Sequence, residues 1–125
     1  MKKLIAVMAL ALLPLTGLAS GGPSVKLEQA NIDLNNHAAI QRGAKLFVNY
    51  CMGCHSAQYV RYKLFTEVGL TEDDIKNNLM FAGGKVGDLM KIAMPVEEAG
   101  RWFGAPAPDL TLTARIKSGG EDWLY

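Results

Sequence analysis

Apolar and polar residues follow one another along this chain in blocks that predict helices joined by long loops. From His37 to Tyr50 the apolar positions recur three and four residues apart, which is the spacing of one helix face. Asn36 stands directly before this block and suits an N-terminal cap. We therefore predict a helix that leads directly into Cys51.

Two signals predict further helices in the middle of the chain. Thr71 precedes three acidic residues, and this order indicates a capped helix start, where negative charge is favourable. The helix is expected to stop before Gly83-Gly84. A short third helix is predicted from Pro95 to Gly104, because proline suits the first helical position.

A last helix is predicted after a proline-rich segment. Pro106 and Pro108 favour an extended backbone, and Asp109 is expected to cap a helix from Leu110 to about Lys117, which a Gly-Gly pair ends. The hydrophobic pattern contains no convincing pair of strands. The predicted fold class is therefore mainly α, with long loops.

The start of the chain has the pattern of an export signal. A positive start at Met1–Lys3 precedes an apolar stretch, and small residues stand at Gly17 and Ala19, three and one before the expected cut. Pro14 interrupts the apolar stretch, which is shorter than the ~20 residues that a membrane-spanning helix needs. We predict a cleaved signal peptide at 1–19, an extended lead-in at 20–36 and one domain at 37–125.

Composition limits what the exported part can do. Removal of the signal peptide leaves 106 residues, enough for one small domain. Lys2 and Lys3 leave with it, so the formal net charge falls from +1 to −1, and nucleic acid is not an expected partner. A disulfide between Cys51 and Cys54, the only cysteines, would close a short loop and constrain little of the chain. We therefore expect a chemical role for these cysteines.

Both cysteines lie in the segment YCMGCHSAQY, at Tyr50–Tyr59, within the attachment signature of c-type haem, Cys-x-x-Cys-His. The thiols of Cys51 and Cys54 can add to the two vinyl groups of a porphyrin, and His55 can bind the iron as proximal ligand. Zinc would need two more ligands, and the only other histidine is His37. A thioredoxin-like motif would be expected beside a βαβ pattern. A haem-free binding module with a local disulfide stays as a further alternative.

Residues on either side of the motif resemble those of class I cytochromes c. Gly43, Phe47 and Cys51 lie four residues apart on one helix face, as in the N-terminal helix that crosses a C-terminal helix in that class. Pro108 resembles the proline whose carbonyl supports the proximal histidine there. A loop that precedes a helix cap explains Pro108 equally well.

The sixth iron ligand is open at this point. A methionine usually occupies that position in electron carriers, and Met94 is followed by a proline, as such ligands often are. In class I cytochromes, however, the methionine follows the supporting proline, and no methionine follows Pro108. Either Met94 is the ligand, or the ligand lies beyond Tyr125 and the chain is an N-terminal fragment, which we expect.

Three sequence blocks resemble cytochrome c1, the haem subunit of bacterial cytochrome bc1 complexes. They are QRGAKLFVNYCMGCHSAQYVRY, NNLMFAGGKVGD and WFGAPAPDLTLTARIKSGGEDWLY, and the resemblance extends from about Asn36 to Tyr125. It implies a single haem c, bound through thioethers to Cys51 and Cys54, with His55 as proximal ligand and metal site. It also implies that Pro108 supplies the supporting carbonyl and that Arg115 pairs with a haem propionate. A cation near a helix C-terminus explains Arg115 equally well.

The same resemblance implies fold, activity and partners. The fold would be a class I cytochrome c-like haem domain without its C-terminal part. The activity would be electron transfer from a Rieske iron-sulfur protein to a soluble cytochrome c, beside cytochrome b in quinol–cytochrome c oxidoreductase, with no catalysis by this chain alone. Family members lie at the periplasmic face of the inner membrane, anchored by a C-terminal helix without a counterpart here. The alternative is a free periplasmic class I cytochrome c with Met94 as sixth ligand.

Overall fold

The computed structural model describes residues 25–125, and the signal peptide predicted at 1–19 lies outside them. Within the described residues, 25–36 form no helix or strand, and helix α1 spans His37–Leu46 and continues as a π-helix over Phe47–Cys51. The predicted cap is confirmed, because the side chain of Asn36 accepts a hydrogen bond from the N–H of Ala39 at 3.1 Å. This continuous helical segment ends at the first cysteine.

A small antiparallel sheet follows the motif. Strand β1, Ala57–Arg61, pairs with strand β2, Leu89–Met90, through a bulge in the register. A 3-10 helix at Tyr62–Val68 and helix α2 at Glu72–Leu79 lie between the two strands in the chain. The expectation of no strand pair was therefore wrong. Both strands are short and far apart in sequence, so the local pattern carries little signal of their pairing.

Three helices form the C-terminal part. Helix α3 spans Val96–Phe103 and lies between Pro95 and Gly104, as predicted. Helix α4 is only Thr113–Ile116, so the helix predicted from residue 110 was placed too early and made too long. Helix α5 spans Gly120–Leu124, so a further helix begins within the Gly-Gly pair that was expected to end the last one. None of the helices described in residues 25–125 is both long and apolar enough to cross a membrane.

The hydrophobic core lies beside the motif. Its most deeply buried large side chains are Ile75 and Leu79 of α2 and Met90 of β2. Ala44 of α1 and Ala57 of β1 belong to the same cluster. The core therefore ties the helix that leads into the motif to the strand that leaves it.

Asp74, in the first turn of α2, makes the stability of the fold depend on pH. Its carboxylate accepts hydrogen bonds from the hydroxyl and from the backbone N–H of Thr71. Both bonds lower the pKa of Asp74, the one from the hydroxyl more strongly. A pKa that is lower in the folded chain than in the unfolded chain stabilises the fold at neutral pH, and this contribution is lost as pH falls through the folded value. We expect the urea midpoint, followed by circular dichroism, to fall below about pH 4. The Asp74→Asn variant should show a shallower fall, and an equally steep one would contradict the prediction.

Candidate functional site

The two cysteines and the histidine lie in a single tight turn. The N–H groups of Cys54 and His55 both donate to the carbonyl of Cys51, at 3.1 and 2.9 Å. Cys51 is half-buried and Cys54 is exposed, and both are free thiols. The turn therefore presents two unpaired thiols that are available for covalent chemistry, and it does not contain the local disulfide of the haem-free alternative.

The imidazole of His55 is oriented by a distant carbonyl. Its Nδ1 lies 2.8 Å from the backbone oxygen of Pro108. A carbonyl that supports the histidine was one of the two roles left open for that proline. A carbonyl oxygen can only accept, so Nδ1 carries the proton and donates it. Nε2 then keeps its lone pair for a metal, and the hydrogen bond makes the imidazole a more basic ligand.

The segment after Pro108 is attached to the strand after the motif. The N–H of Leu110 donates to the carbonyl of Ser56 at 2.8 Å. The carboxylate of Asp109 accepts from the N–H of Gln58 at 2.8 Å and from that of Thr111 at 3.0 Å. Partial burial raises the pKa of Asp109, but these hydrogen bonds outweigh the burial, so that the pKa is lowered.

Asp109 does not have the role of helix cap that its sequence position predicted. It was expected to cap a helix, whereas α4 begins four residues later and the carboxylate reaches β1 instead. The sequence signal that was available is its position directly after Pro108, because a residue beside the supporting carbonyl is well placed to fix it.

Met94 lies near one of the cysteines. A cavity of about 360 Å³ has both Cys54 and Met94 in its lining. Ser56 lies there too, and its hydroxyl oxygen accepts a hydrogen bond from the N–H of Ile92 at 3.1 Å. The segment that carries Met94 is thus held beside the motif.

The predicted face of Gly43 and Phe47 borders an open apolar groove of about 660 Å³. A Cβ built on Gly43 would meet no atom within 4 Å, so no described side chain packs on Gly43 itself. The motif side chains do not line the groove. Two lining residues are close to the motif contacts in sequence: Ala57 lies two residues after His55, and Leu110 lies two residues after Pro108. The remaining apolar lining includes Ile40, Ala44, Val60, Phe65 and Met90.

Arg115 is not brought to the motif by any contact of its side chain. It lies exposed on α4, and within residues 25–125 its guanidinium makes no hydrogen bond or ion pair. The nearby Lys117 stacks instead on the ring of Trp123, with 4.5 Å from Nζ to the ring centre. In the described part of the chain, no three side chains of His, Cys, Asp or Glu gather in a way that could hold a metal ion.

The described residues fit a covalently bound haem. Two free thiols three positions apart in one turn can add to the two vinyl groups on one edge of a porphyrin, and the histidine has one ring nitrogen available for iron. An apolar groove is lined by Ala57, two residues after the histidine. A mainly helical fold with a Cys-x-x-Cys-His turn defines the class of c-type cytochromes.

Comparison with known proteins identifies the family. Residues 28–83 match the Cytochrome C1 family. The cytochrome c1 of Allochromatium vinosum is 50% identical over 126 residues, which cover 100% of this chain and 50% of that protein. The chain belongs to the cytochrome c1 family, which implies haem c bound covalently through Cys51 and Cys54.

Two further proteins are similar to this chain. A Nitrosomonas europaea protein named "Ammonia monooxygenase gamma subunit" is 44% identical and covers 95% of this chain and 50% of its own length. The mitochondrial cytochrome c1 haem protein of Saccharomyces cerevisiae is 28% identical and covers 72% of this chain and 35% of its own length. The chain thus spans about half the length of the two bacterial relatives.

Proposed function

We propose that the chain transfers single electrons through haem c held at the Cys51–His55 turn. The observation that carries this proposal is the 2.8 Å hydrogen bond between His55 Nδ1 and the carbonyl of Pro108, because it leaves the other ring nitrogen free for iron. When bound, haem c supplies a one-electron iron couple. The chain itself holds the ring through Cys51 and Cys54 and orients the iron ligand.

The exposure of the turn supports exchange with redox partners. Gly53 and Cys54 are both exposed, so the attached edge of the site lies at the protein surface. Following the family, the electron donor is a Rieske iron-sulfur protein and the acceptor is a soluble cytochrome c. The chain then acts beside cytochrome b, as a subunit of quinol–cytochrome c oxidoreductase at the periplasmic face of the inner membrane, with a C-terminal anchor outside these residues. Arg115 pairs with a haem propionate in this proposal.

Spectroscopy and rapid mixing test the proposal. The protein, expressed with its export signal and a haem-attachment system, should yield a c-type pyridine haemochrome with one haem per chain. It should be reduced by a reduced Rieske protein and should in turn reduce a soluble cytochrome c. A chain without covalent haem would refute haem-based transfer. Covalent haem that exchanges electrons with neither partner would refute only the proposed route.

A free class I cytochrome c is the second candidate, because Met94 lies in the cavity that Cys54 lines. In that case Met94 binds the iron, whereas in the first proposal it does not. We expect Met94→Ala, made in the haem-loaded full-length protein, to retain the near-infrared charge-transfer absorption of an iron–methionine bond. Loss of that absorption in both Met94→Ala and Met94→Leu would favour the free cytochrome.

A further inference from the structure

Asp109 connects two segments that meet at the histidine. Its Oδ2 accepts from the N–H of Gln58 at 2.8 Å, and its Oδ1 accepts from the N–H of Thr111 at 3.0 Å. Gln58 lies on β1, three residues after His55, and Asp109 directly follows Pro108. A single side chain therefore joins the strand that leaves the motif to the segment that supplies the supporting carbonyl.

We propose that Asp109 is a positioning residue that holds the carbonyl of Pro108 on Nδ1 of His55. This inference rests on the proposed binding of haem iron by His55. The Pro108–Thr111 segment runs beside Ser56–Tyr59, and the hydrogen bonds of Asp109 lie next to the histidine contact along this pair of segments. Asp109 acts through Pro108 and does not touch the iron ligand itself.

Few other contacts could replace the carboxylate. Between the two segments, the remaining backbone bond is that from the N–H of Leu110 to the carbonyl of Ser56, at 2.8 Å. The hydroxyl of Thr111 adds a longer contact of 3.3 Å to the N–H of Tyr59. Hydrogen bonds to an ionised acceptor are stronger than those to a neutral one, so the carboxylate is expected to dominate the attachment.

The two variants Asp109→Asn and Asp109→Ala remove different numbers of the hydrogen bonds that the carboxylate accepts. Both carboxylate oxygens are acceptors for backbone N–H groups. An asparagine has one acceptor oxygen and one donor amide, so Asp109→Asn keeps one bond and places a donor against the other N–H. Asp109→Ala removes both bonds. The two variants therefore form a graded series.

The experiment measures the reduction potential and the ferric haem NMR shifts of the full-length, haem-loaded protein. We expect the potential to rise from wild type to Asp109→Asn to Asp109→Ala, because a weaker hydrogen bond makes the imidazole less basic and stabilises the ferric state less. The haem methyl shifts should change in the same order. Asp88→Asn is the matched control, since the Asp88 carboxylate accepts from the N–H of Lys85 at 2.8 Å but makes no bond to the motif. We expect it to leave both readouts unchanged.

The outcomes separate this inference from the proposed function. An unchanged potential and unchanged NMR shifts in a variant that retains covalent haem would overturn the role of Asp109, even if the variant is less stable. Absence of covalent haem from the wild-type protein would overturn the proposed function instead. If Asp109→Ala does not accumulate, Asp109→Asn provides the same comparison with one hydrogen bond retained.

Discussion

The double variant Cys51→Ser, Cys54→Ser is expected to lose all covalently bound haem, so that no haem stain remains on a denaturing gel. A thioether forms when a thiol adds across a vinyl group, and sulfur is the nucleophile in this addition. A serine hydroxyl is a far weaker nucleophile at neutral pH. Since both thiols are free in the turn, each is expected to form one bond, and the double variant removes both.

The single variants and a neighbour define the controls. Cys51→Ser and Cys54→Ser should each keep one thioether and therefore stain, with an absorption spectrum shifted by the remaining vinyl group. Met52→Leu changes a residue between the cysteines and conserves volume, although it removes the 3.6 Å contact from the hydroxyl of Tyr62 to the Met52 sulfur. It should retain haem at the wild-type level. Covalent haem in the double variant would show that attachment uses other residues.

Helix starts were predictable from sequence because their signals are local. The caps at Asn36 and Thr71 act on N–H groups within three residues, and both form as expected. Pro95 and Gly104 likewise delimit α3. Such contacts depend only on neighbouring residues, so the sequence pattern contains nearly all the information about them.

The contacts that build the site depend on distant residues. The carbonyl of Pro108 meets His55 across 53 positions, and only a resemblance to class I cytochromes suggested this pair. The carboxylate of Asp109 reaches Gln58 across 51 positions, and the local pattern suggested a helix cap instead. A polar residue directly after a proline can either cap a helix or bind a distant strand, so only the fold can distinguish these two roles.

The pairing of β1 with β2 was missed for a similar reason. Ala57 and Met90 are opposite each other in the sheet, yet β2 has only two residues, Leu89 and Met90. Two residues are too few to show the alternation that identifies a strand. The burial of Met90, which is 1% exposed, shows that packing in the core accompanies this pairing.

Replacement of Ile75 by Ala is expected to lower the free energy of unfolding by about 2–5 kcal/mol, which is the usual cost of removing a large buried aliphatic side chain. Ile75 is 0% exposed and belongs to the cluster that includes Leu79 and Met90. Truncation to alanine removes its contacts and leaves a cavity that close-packed neighbours fill only in part. Urea unfolding of the haem-loaded protein, with an unchanged m-value, measures the loss.

Lys76→Ala in the next position is the matched control for this core substitution. Lys76 is partly exposed and lies 3.9 Å from Glu72 and 4.0 Å from Asp73, and surface pairs of this kind contribute below about 1 kcal/mol. Ile75→Ala should still carry covalent haem, because the cysteines lie outside the core. A loss of stability no larger than that of Lys76→Ala would mean that the cluster around Ile75 does not hold α2 against the strand that leaves the motif.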